Sequence, residues 1–220
     1  MFLRAYLMMA FIVSVVCIIG FSFITLLISD QKIIRFDRAV IQMIQDQESP
    51  GLTIVMKVLT YIGSASFVII LSLVLMIFLY KVLHHGIELI LFITAILGSA
   101  CLNGILKNIF QRVRPDLHRL IEIGGYSFPS GHAMSAFSVY GIITFLLWRH
   151  IPNKWGRSIL IVFSIVMILS IGISRIYLGV HYPSDVIGGY FASGFWLAVL
   201  IWFFQYYKEK RYNRKYKSEI

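Results

Sequence analysis

Three short polar segments lie far apart in a chain of 220 residues that is otherwise largely apolar. These segments are Lys107–Pro115, Pro129–His132 and Ser174–Asp185. Their candidate chemical groups are three cations (Lys107, Arg114 and Arg175), two histidines and one carboxylate. Fixed cations can bind the oxygens of a phosphate group, and a neutral imidazole can attack phosphorus. The set therefore suits the transfer of a phosphoryl group through histidine.

The third segment has the most specific spacing, because His181 and Asp185 are four residues apart. A turn or a helix over this interval can bring the carboxylate to the imidazole. A carboxylate that holds one ring N–H fixes the tautomer and leaves the other nitrogen free as a nucleophile. Taken alone, the pattern is also compatible with a His–Asp pair on the surface.

The second segment, Pro129-Ser130-Gly131-His132, has the residues of a helix start. Ser130 can cap the helix, and the free N–H groups of the first turn, with Gly131 beside them, form a natural phosphate cradle. His132 then lies where an anion would be held. An inert histidine at the membrane interface is the alternative interpretation.

Lys107 and Arg114 in the first segment are candidate phosphate ligands. Ala95, Ser99 and Asn103 precede Lys107 at four-residue steps, and such a stripe of small and polar residues predicts that Lys107 points into a helix bundle. The proline that follows Arg114 biases it away from helix. Taken alone, both cations could instead be anchors at the end of a membrane span.

The composition predicts an all-α integral membrane protein. Hydrophobic residues make up 59% of the chain and charged residues 14%, with a mean hydropathy of +0.82. Since a spanning helix needs roughly 20 apolar residues, we predict a single domain of six transmembrane helices over residues 1–220. The uncharged stretches are Ala5–Ser29, Val58–Tyr80, Leu89–Leu106, Ala133–Trp148, Ser158–Ser174 and Val186–Tyr207. The first is too long for a signal-peptide core, so we expect it to be retained.

The charges of the loops predict the orientation of these helices. Basic residues dominate the tail from Lys208 and the loop that contains Arg149, Lys154 and Arg157, and the positive-inside rule puts both in the cytoplasm. With an even number of spans, the N and C termini are then both cytoplasmic. His132 begins the short fourth stretch and Arg175 follows the short fifth one. We therefore expect the site near the extracytoplasmic face, at the level of a lipid head group.

One segment outside the six stretches has amphipathic helical spacing. Its apolar residues are Ile33, Phe36, Val40, Ile41 and Ile44, opposite Arg35, Asp37, Arg38 and Gln42. Ser49-Pro50-Gly51 is expected to end it. We predict an interfacial helix over 33–44, which either connects two spans or forms a wall of a lipid entrance.

The three segments together resemble the signature of the type 2 phosphatidic acid phosphatase superfamily. That signature reads Lys-x6-Arg-Pro, Pro-Ser-Gly-His and Ser-Arg-x5-His-x3-Asp, and every position matches in order between residues 107 and 185. The resemblance implies that His181 attacks phosphorus, that Asp185 orients it, and that His132 protonates the leaving oxygen. It implies that the phosphate is bound by Lys107, Arg114, Ser130, Gly131 and Arg175. No metal or other cofactor is expected.

The function implied by the resemblance is hydrolysis of a lipid phosphate in the cell membrane. We favour undecaprenyl diphosphate, because its head group must be dephosphorylated outside the cytoplasm for the carrier to be reused. Phosphatidylglycerophosphate, phosphatidic acid and diacylglycerol pyrophosphate are alternative substrates. A phospholipid transporter and a vanadate-binding haloperoxidase are alternatives from other classes.

The expected partners are the lipid substrate and the bilayer. A formal net charge of +10 can indicate nucleic-acid binding. Much of the excess lies in the tail next to a span, where anionic lipid is the nearer partner, so we expect no nucleic acid. Cys17 and Cys101 fall within predicted spans and are expected to pack there. The sequence leaves the oligomeric state open.

Overall fold

The computed structural model describes residues 2–81, 86–116, 118–148 and 150–218. All regular structure in these ranges is α-helical, in agreement with the predicted fold class. The helices are α1 (Phe2–Ser29), α2 (Ile34–Gln45), α3 (Pro50–Ile62), α4 (Ala65–Lys81), α5 (Gly86–Phe110), α6 (Gly131–Trp148), α7 (Lys154–Tyr177) and α8 (Pro183–Ser218). Arg149, which the sequence placed in a cytoplasmic loop, lies outside the described residues.

Four helical segments in the described ranges are long and apolar enough to cross a membrane: Leu7–Ser29, Gly86–Phe110, Lys154–Tyr177 and Pro183–Lys208. Many large apolar side chains on α1, α3, α4 and α7 are exposed, as expected of surfaces that face lipid. The protein is therefore a multi-pass membrane protein. Helix α6 is also apolar but shorter.

The second predicted span, Val58–Tyr80, is not one continuous helix. It is divided between α3 and α4, which meet at Gly63-Ser64 with a bend of 53°. Glycine is a poor helix former, and the Ser64 hydroxyl accepts a hydrogen bond from the N–H of Phe67, which starts α4. Counting the bent pair as one span raises the number of candidate spans to five.

The fifth predicted span is longer than its uncharged stretch. Helix α7 continues to Tyr177, so Arg175 lies in its last turn, at the end of the span as the sequence predicted. Arg175 is 1% exposed, because the end of α7 is covered by neighbouring parts of the protein. The uncharged run stops before Arg175 because that residue is charged, whereas the helical backbone continues through it.

The amphipathic helix is confirmed as α2, but one of its assigned faces is wrong. Asp37, predicted among the exposed polar residues, is 1% exposed. The segment Ser49-Pro50-Gly51 starts α3 rather than directly ending α2, since the Ser49 hydroxyl caps the N–H of Leu52 and Pro50 occupies the first turn.

Helices α6 and α8 form the centre of the bundle and meet where the polar segments lie. Helix α6 packs against α5, α7 and α8, and α8 also packs against α1. A Cβ atom at Gly188 would lie 2.4 Å from the ring of Phe128, so glycine permits this close contact. This part of α8 is therefore a packing face. Cys17 and Cys101 are free thiols, and Cys101 is exposed rather than packed.

Candidate active site

The second segment begins α6, as its sequence predicted. The Ser130 hydroxyl accepts a hydrogen bond from the N–H of Ala133 at 3.4 Å. The N–H of Ser130 donates to the backbone oxygen of Asp185 at 3.0 Å, which joins the second segment to the third. A Cβ atom at Gly131 would lie 3.0 Å from Oδ1 of Asn103, so the glycine lets α5 approach the start of α6.

The third segment forms the predicted His–Asp pair. Nδ1 of His181 is 3.3 Å from Oδ2 of Asp185, and the two side chains are 2% and 0% exposed. The same carboxylate oxygen accepts hydrogen bonds from the N–H of Tyr182, at 2.8 Å, and from the hydroxyl of Ser127. The pair is therefore buried, so the surface-pair alternative is wrong.

Arg114 contacts the other nitrogen of the same imidazole. Its Nη1 is 3.2 Å from Nε2 of His181 and donates to the backbone oxygen of Val180 at 2.8 Å. Because a guanidinium can only donate, Nε2 must be the acceptor and the ring proton must lie on Nδ1, toward Asp185. The lone pair of the imidazole is thus on Nε2 and faces the cation.

The environment keeps His181 neutral at physiological pH. Burial lowers the pKa of the imidazole to about 4, and the charges of Arg175 and Arg114 act in the same direction. The hydrogen bond to Asp185 and its negative charge oppose this shift without cancelling it. A neutral imidazole with its Nε2 lone pair available is the form that a nucleophile requires.

The remaining cations gather around the same point. Lys107 donates to the backbone oxygen of Tyr126, and its charge interacts with those of Arg114 and Arg175. Arg175 donates through Nη1 to the hydroxyl of Thr60, while its buried Nε has no hydrogen-bond partner among the described residues. Three neighbouring cations repel one another, and a bound anion would relieve that repulsion.

His132 faces this cluster from the first turn of α6. The charges of Arg175, Arg114 and Lys107 all act on its imidazole, as does His181. A Cβ atom at Gly63 would lie 3.3 Å from Cδ2 of the same ring. The structure thus brings together every site residue predicted from the three segments.

Comparisons with known proteins identify the family of this chain. A family model described as the PAP2 superfamily matches residues 88–209, more than half of the chain. The chain belongs to the PAP2 superfamily. The resemblance found in its three segments is confirmed.

Two relatives illustrate the range of similarity. The chain is 37% identical over 171 residues to phosphatidylglycerophosphatase B of Bacillus subtilis strain 168, covering 76% of this chain and 81% of the relative. It is 40% identical over only 78 residues to the putative undecaprenyl-diphosphatase YbjG of Escherichia coli K12, covering 34% of this chain and 35% of that protein.

A solved structure agrees with the fold over almost the whole chain. The PAP2-type phosphatidylglycerolphosphate phosphatase from Bacillus subtilis superposes with a TM-score of 0.75 and 30% identity, covering 90% of this chain and 96% of that one. With the family match, these relatives establish that the protein is a lipid phosphatase.

Sequence reasoning missed two residues that hold the site of this PAP2 protein together. Arg112 donates through Nη1 to Oδ1 of Asp185 at 2.7 Å, and Ser127 donates to the other oxygen. Arg112 lies two positions before Arg114 in the first segment, and this position could have identified it as a candidate site residue. Ser127 lies just before the second segment, and nothing in its local pattern distinguished it.

Proposed function

We propose that this PAP2 protein removes the terminal phosphate of a membrane lipid through a phosphohistidine at His181. One observation carries the proposal: Nε2 of His181 lies 3.2 Å from a nitrogen of Arg114 and Nδ1 lies 3.3 Å from Oδ2 of Asp185, an arrangement that assigns the ring proton to Nδ1. An imidazole held in this form can attack a phosphorus atom whose oxygens are bound by the adjacent cations.

The first half of the reaction forms the covalent intermediate. The Nε2 lone pair of His181 forms an N–P bond while the bond between phosphorus and the lipid oxygen breaks. His132, protonated when the anionic substrate is bound, gives its proton to the leaving oxygen. The negative charge on the non-bridging oxygens is stabilised by the phosphate-binding set Lys107, Arg114, Ser130, Gly131 and Arg175.

The second half regenerates the enzyme. The now neutral His132 takes a proton from a water molecule, whose oxygen attacks phosphorus as the N–P bond breaks. Inorganic phosphate leaves, His181 is again neutral, and His132 again carries its proton. Positive charge and positioning are supplied by protein side chains throughout, so the proposal requires no metal ion.

Phosphatidylglycerophosphate is the substrate that we now favour. The similarity to phosphatidylglycerophosphatase B extends over 76% of this chain, whereas the similarity to the undecaprenyl-diphosphatase YbjG extends over 34%. A longer match includes the helices around the site as well as the signature residues. Undecaprenyl diphosphate, favoured by the sequence alone, remains the second candidate.

We further propose a single domain with six spans, cytoplasmic termini and an extracytoplasmic site. The bent pair α3–α4 counts as one span and α6 as another, together with α1, α5, α7 and α8. The positive-inside rule supports this orientation. A reporter fused at Asn153 should score as cytoplasmic, and a cysteine introduced at Gly124 should react with an impermeant reagent from outside. The opposite pair of results would reverse the orientation.

Phosphate release by the purified protein tests the activity. We expect turnover of phosphatidylglycerophosphate in the presence of EDTA, slower turnover of undecaprenyl diphosphate, and competitive inhibition by vanadate. His181→Ala should abolish both turnover and labelling of the protein from a radioactive terminal phosphate. Asp30→Asn, on an exposed loop, is the matched control. Near-native activity of His181→Ala would exclude the covalent route, and loss of activity in EDTA would exclude a metal-free one.

A further inference from the structure

Asp37 is a buried carboxylate on a helix that lies outside the predicted spans. It accepts hydrogen bonds from the N–H of Ser184 at 2.9 Å and from the Ser184 hydroxyl at 2.6 Å. It also accepts a hydrogen bond from Nη2 of Arg112 at 2.8 Å. Ser184 and Asp185 are consecutive residues in the first turn of α8. These hydrogen bonds thus hold α2 next to Asp185, whose carboxylate contacts His181.

Arg112 connects the two carboxylates. Its Nη2 binds Asp37 at 2.8 Å, while its Nη1 binds Oδ1 of Asp185 at 2.7 Å and the Ser184 hydroxyl at 2.8 Å. The guanidinium also stacks on the ring of Tyr182, with 4.1 Å between its carbon and the ring centroid. Two carboxylates balance its single charge, so Arg112 is not directed at the phosphate in the way that Arg114 is.

We propose that Asp37 and Arg112 are positioning residues that set the orientation of the Asp185 carboxylate, and through it that of His181. The inference rests on the proposed function of His181 as the nucleophile. Oδ2 of Asp185 faces Nδ1 of His181, and Oδ1 of the same carboxylate accepts from Arg112. Arg112 is itself held by Asp37, so α2 contributes to the alignment of a nucleophile that it does not touch.

Arg112 can hold Asp185 in one orientation because hydrogen bonds between buried charged groups are strong and directional. A guanidinium can bind two carboxylates through separate nitrogens in a fixed plane, which a lysine ammonium cannot reproduce. Without Arg112, Oδ1 of Asp185 loses its charged partner, and the carboxylate is held only through Oδ2, by the N–H of Tyr182 and the hydroxyl of Ser127. This weaker hold lets the carboxylate shift relative to the imidazole. A misplacement of about 1 Å at a reacting group can cost a factor of about 100 in rate.

The test compares Asp37→Asn, Arg112→Gln and Arg112→Lys with the wild type, using Asp30→Asn as the control. We expect kcat to fall by about 10-fold to 100-fold in D37N and R112Q, with little change in KM or in the inhibition constant of vanadate. R112K should recover only part of the loss, because the lysine reaches one carboxylate. The double variant D37N/R112Q should be no slower than R112Q, since the two residues act as one unit.

Several results would overturn the inference. If D37N and R112Q raise KM and weaken vanadate binding with kcat unchanged, Arg112 binds the phosphate directly. If their losses multiply in the double variant, the residues do not act together. If both variants match D30N in kcat, neither residue has a positioning role. Thermal unfolding in detergent separates a loss of fold from these outcomes, and R112K, which keeps the charge, provides the test if D37N does not fold.

The same measurements separate this inference from the proposed function. If the wild type releases no phosphate from any lipid phosphate, the proposed function fails. If the wild type and D30N turn over equally while H181A is inactive, the proposed function stands. The values for D37N, R112Q and R112K then decide the positioning role alone.

Discussion

Replacing Asp185 with asparagine tests the assignment of the His181 tautomer, because an amide has one oxygen where the carboxylate has two. In the structure, Oδ1 accepts from Arg112 at 2.7 Å, and Oδ2 accepts from the N–H of Tyr182 at 2.8 Å and faces Nδ1 of His181 at 3.3 Å. If the new amide keeps its oxygen toward Arg112, its NH2 group faces two donors, the N–H of Tyr182 and Nδ1–H of His181. His181 can then accept from the amide only in the other tautomer, with its proton on Nε2. If the amide is flipped, its NH2 group faces the guanidinium of Arg112.

The size of the effect follows from this conflict. Both orientations place two donors against each other, and the first one moves the ring proton to Nε2, where it faces Arg114 and blocks attack. The comparable change in Ser-His-Asp enzymes lowers kcat by about 10,000-fold. We expect at least about 1000-fold here, equivalent to about 4 kcal/mol at about 1.4 kcal/mol per factor of ten.

The assay is phosphate release in detergent, with labelling of the protein as a second measurement. D185N should lose turnover and the phosphohistidine together, while binding vanadate with a nearly unchanged inhibition constant. The unmade hydrogen bonds should also lower the free energy of unfolding by about 1–3 kcal/mol. Activity within about tenfold of the wild type, in a variant that unfolds at the same temperature, would refute the assigned tautomer.

Three further predictions follow from the geometry around the site. The pKa of His181 is about 4 in the folded protein and 6.5 ordinarily, so the unfolded state binds more protons between these values. As pH falls through this window, the wild type should lose roughly 3 kcal/mol of stability relative to His181→Gln, measured by thermal unfolding in detergent. Gly63→Val should lower kcat, because a Cβ atom there would lie 2.5 Å from a side chain of α7 and 3.3 Å from His132. Gly179→Ala should lower both stability and activity, since its φ of +71° disfavours a side chain and the new Cβ would lie 2.0 Å from the backbone oxygen of His118.

Each of these three predictions has an opposite outcome. Equal pH dependence of unfolding for the wild type and H181Q would mean that His181 is not a buried neutral imidazole. If G63V has the same kcat as the wild type, a side chain added at the bend between α3 and α4 does not disturb His132. Unchanged unfolding of G179A would mean that the turn after α7 tolerates a side chain. Gly51→Ala is the control for both glycines, because nothing lies within 4 Å of its added Cβ.

The parts predicted correctly from the sequence depend on short intervals of chain. The contact between His181 and Asp185 spans four residues, and the Ser130 cap on α6 spans three. The stripe that ends at Lys107 also follows from local spacing, and Ala95 and Ser99 are buried as predicted. Helical geometry fixes the positions of residues at such intervals before any tertiary contact forms.

The parts that were wrong or missed depend on contacts between distant segments. An apolar run does not show where its backbone bends, so the break at Gly63-Ser64 in Val58–Tyr80 was not visible. The polar face of α2 was assigned from periodicity, which places Asp37 beside exposed residues and carries no information about a partner elsewhere.

By itself, the sequence determined that this protein is a helical membrane protein of the PAP2 superfamily, because composition and motif spacing are local properties of the chain. Only the tertiary structure decided how the candidate active site is held. Asp37 and Arg112 are 75 residues apart, and Arg112 and Asp185 are 73 apart. Their pairing arises from the packing of α2, the loop after α5 and the start of α8, where burial makes each charge require a partner.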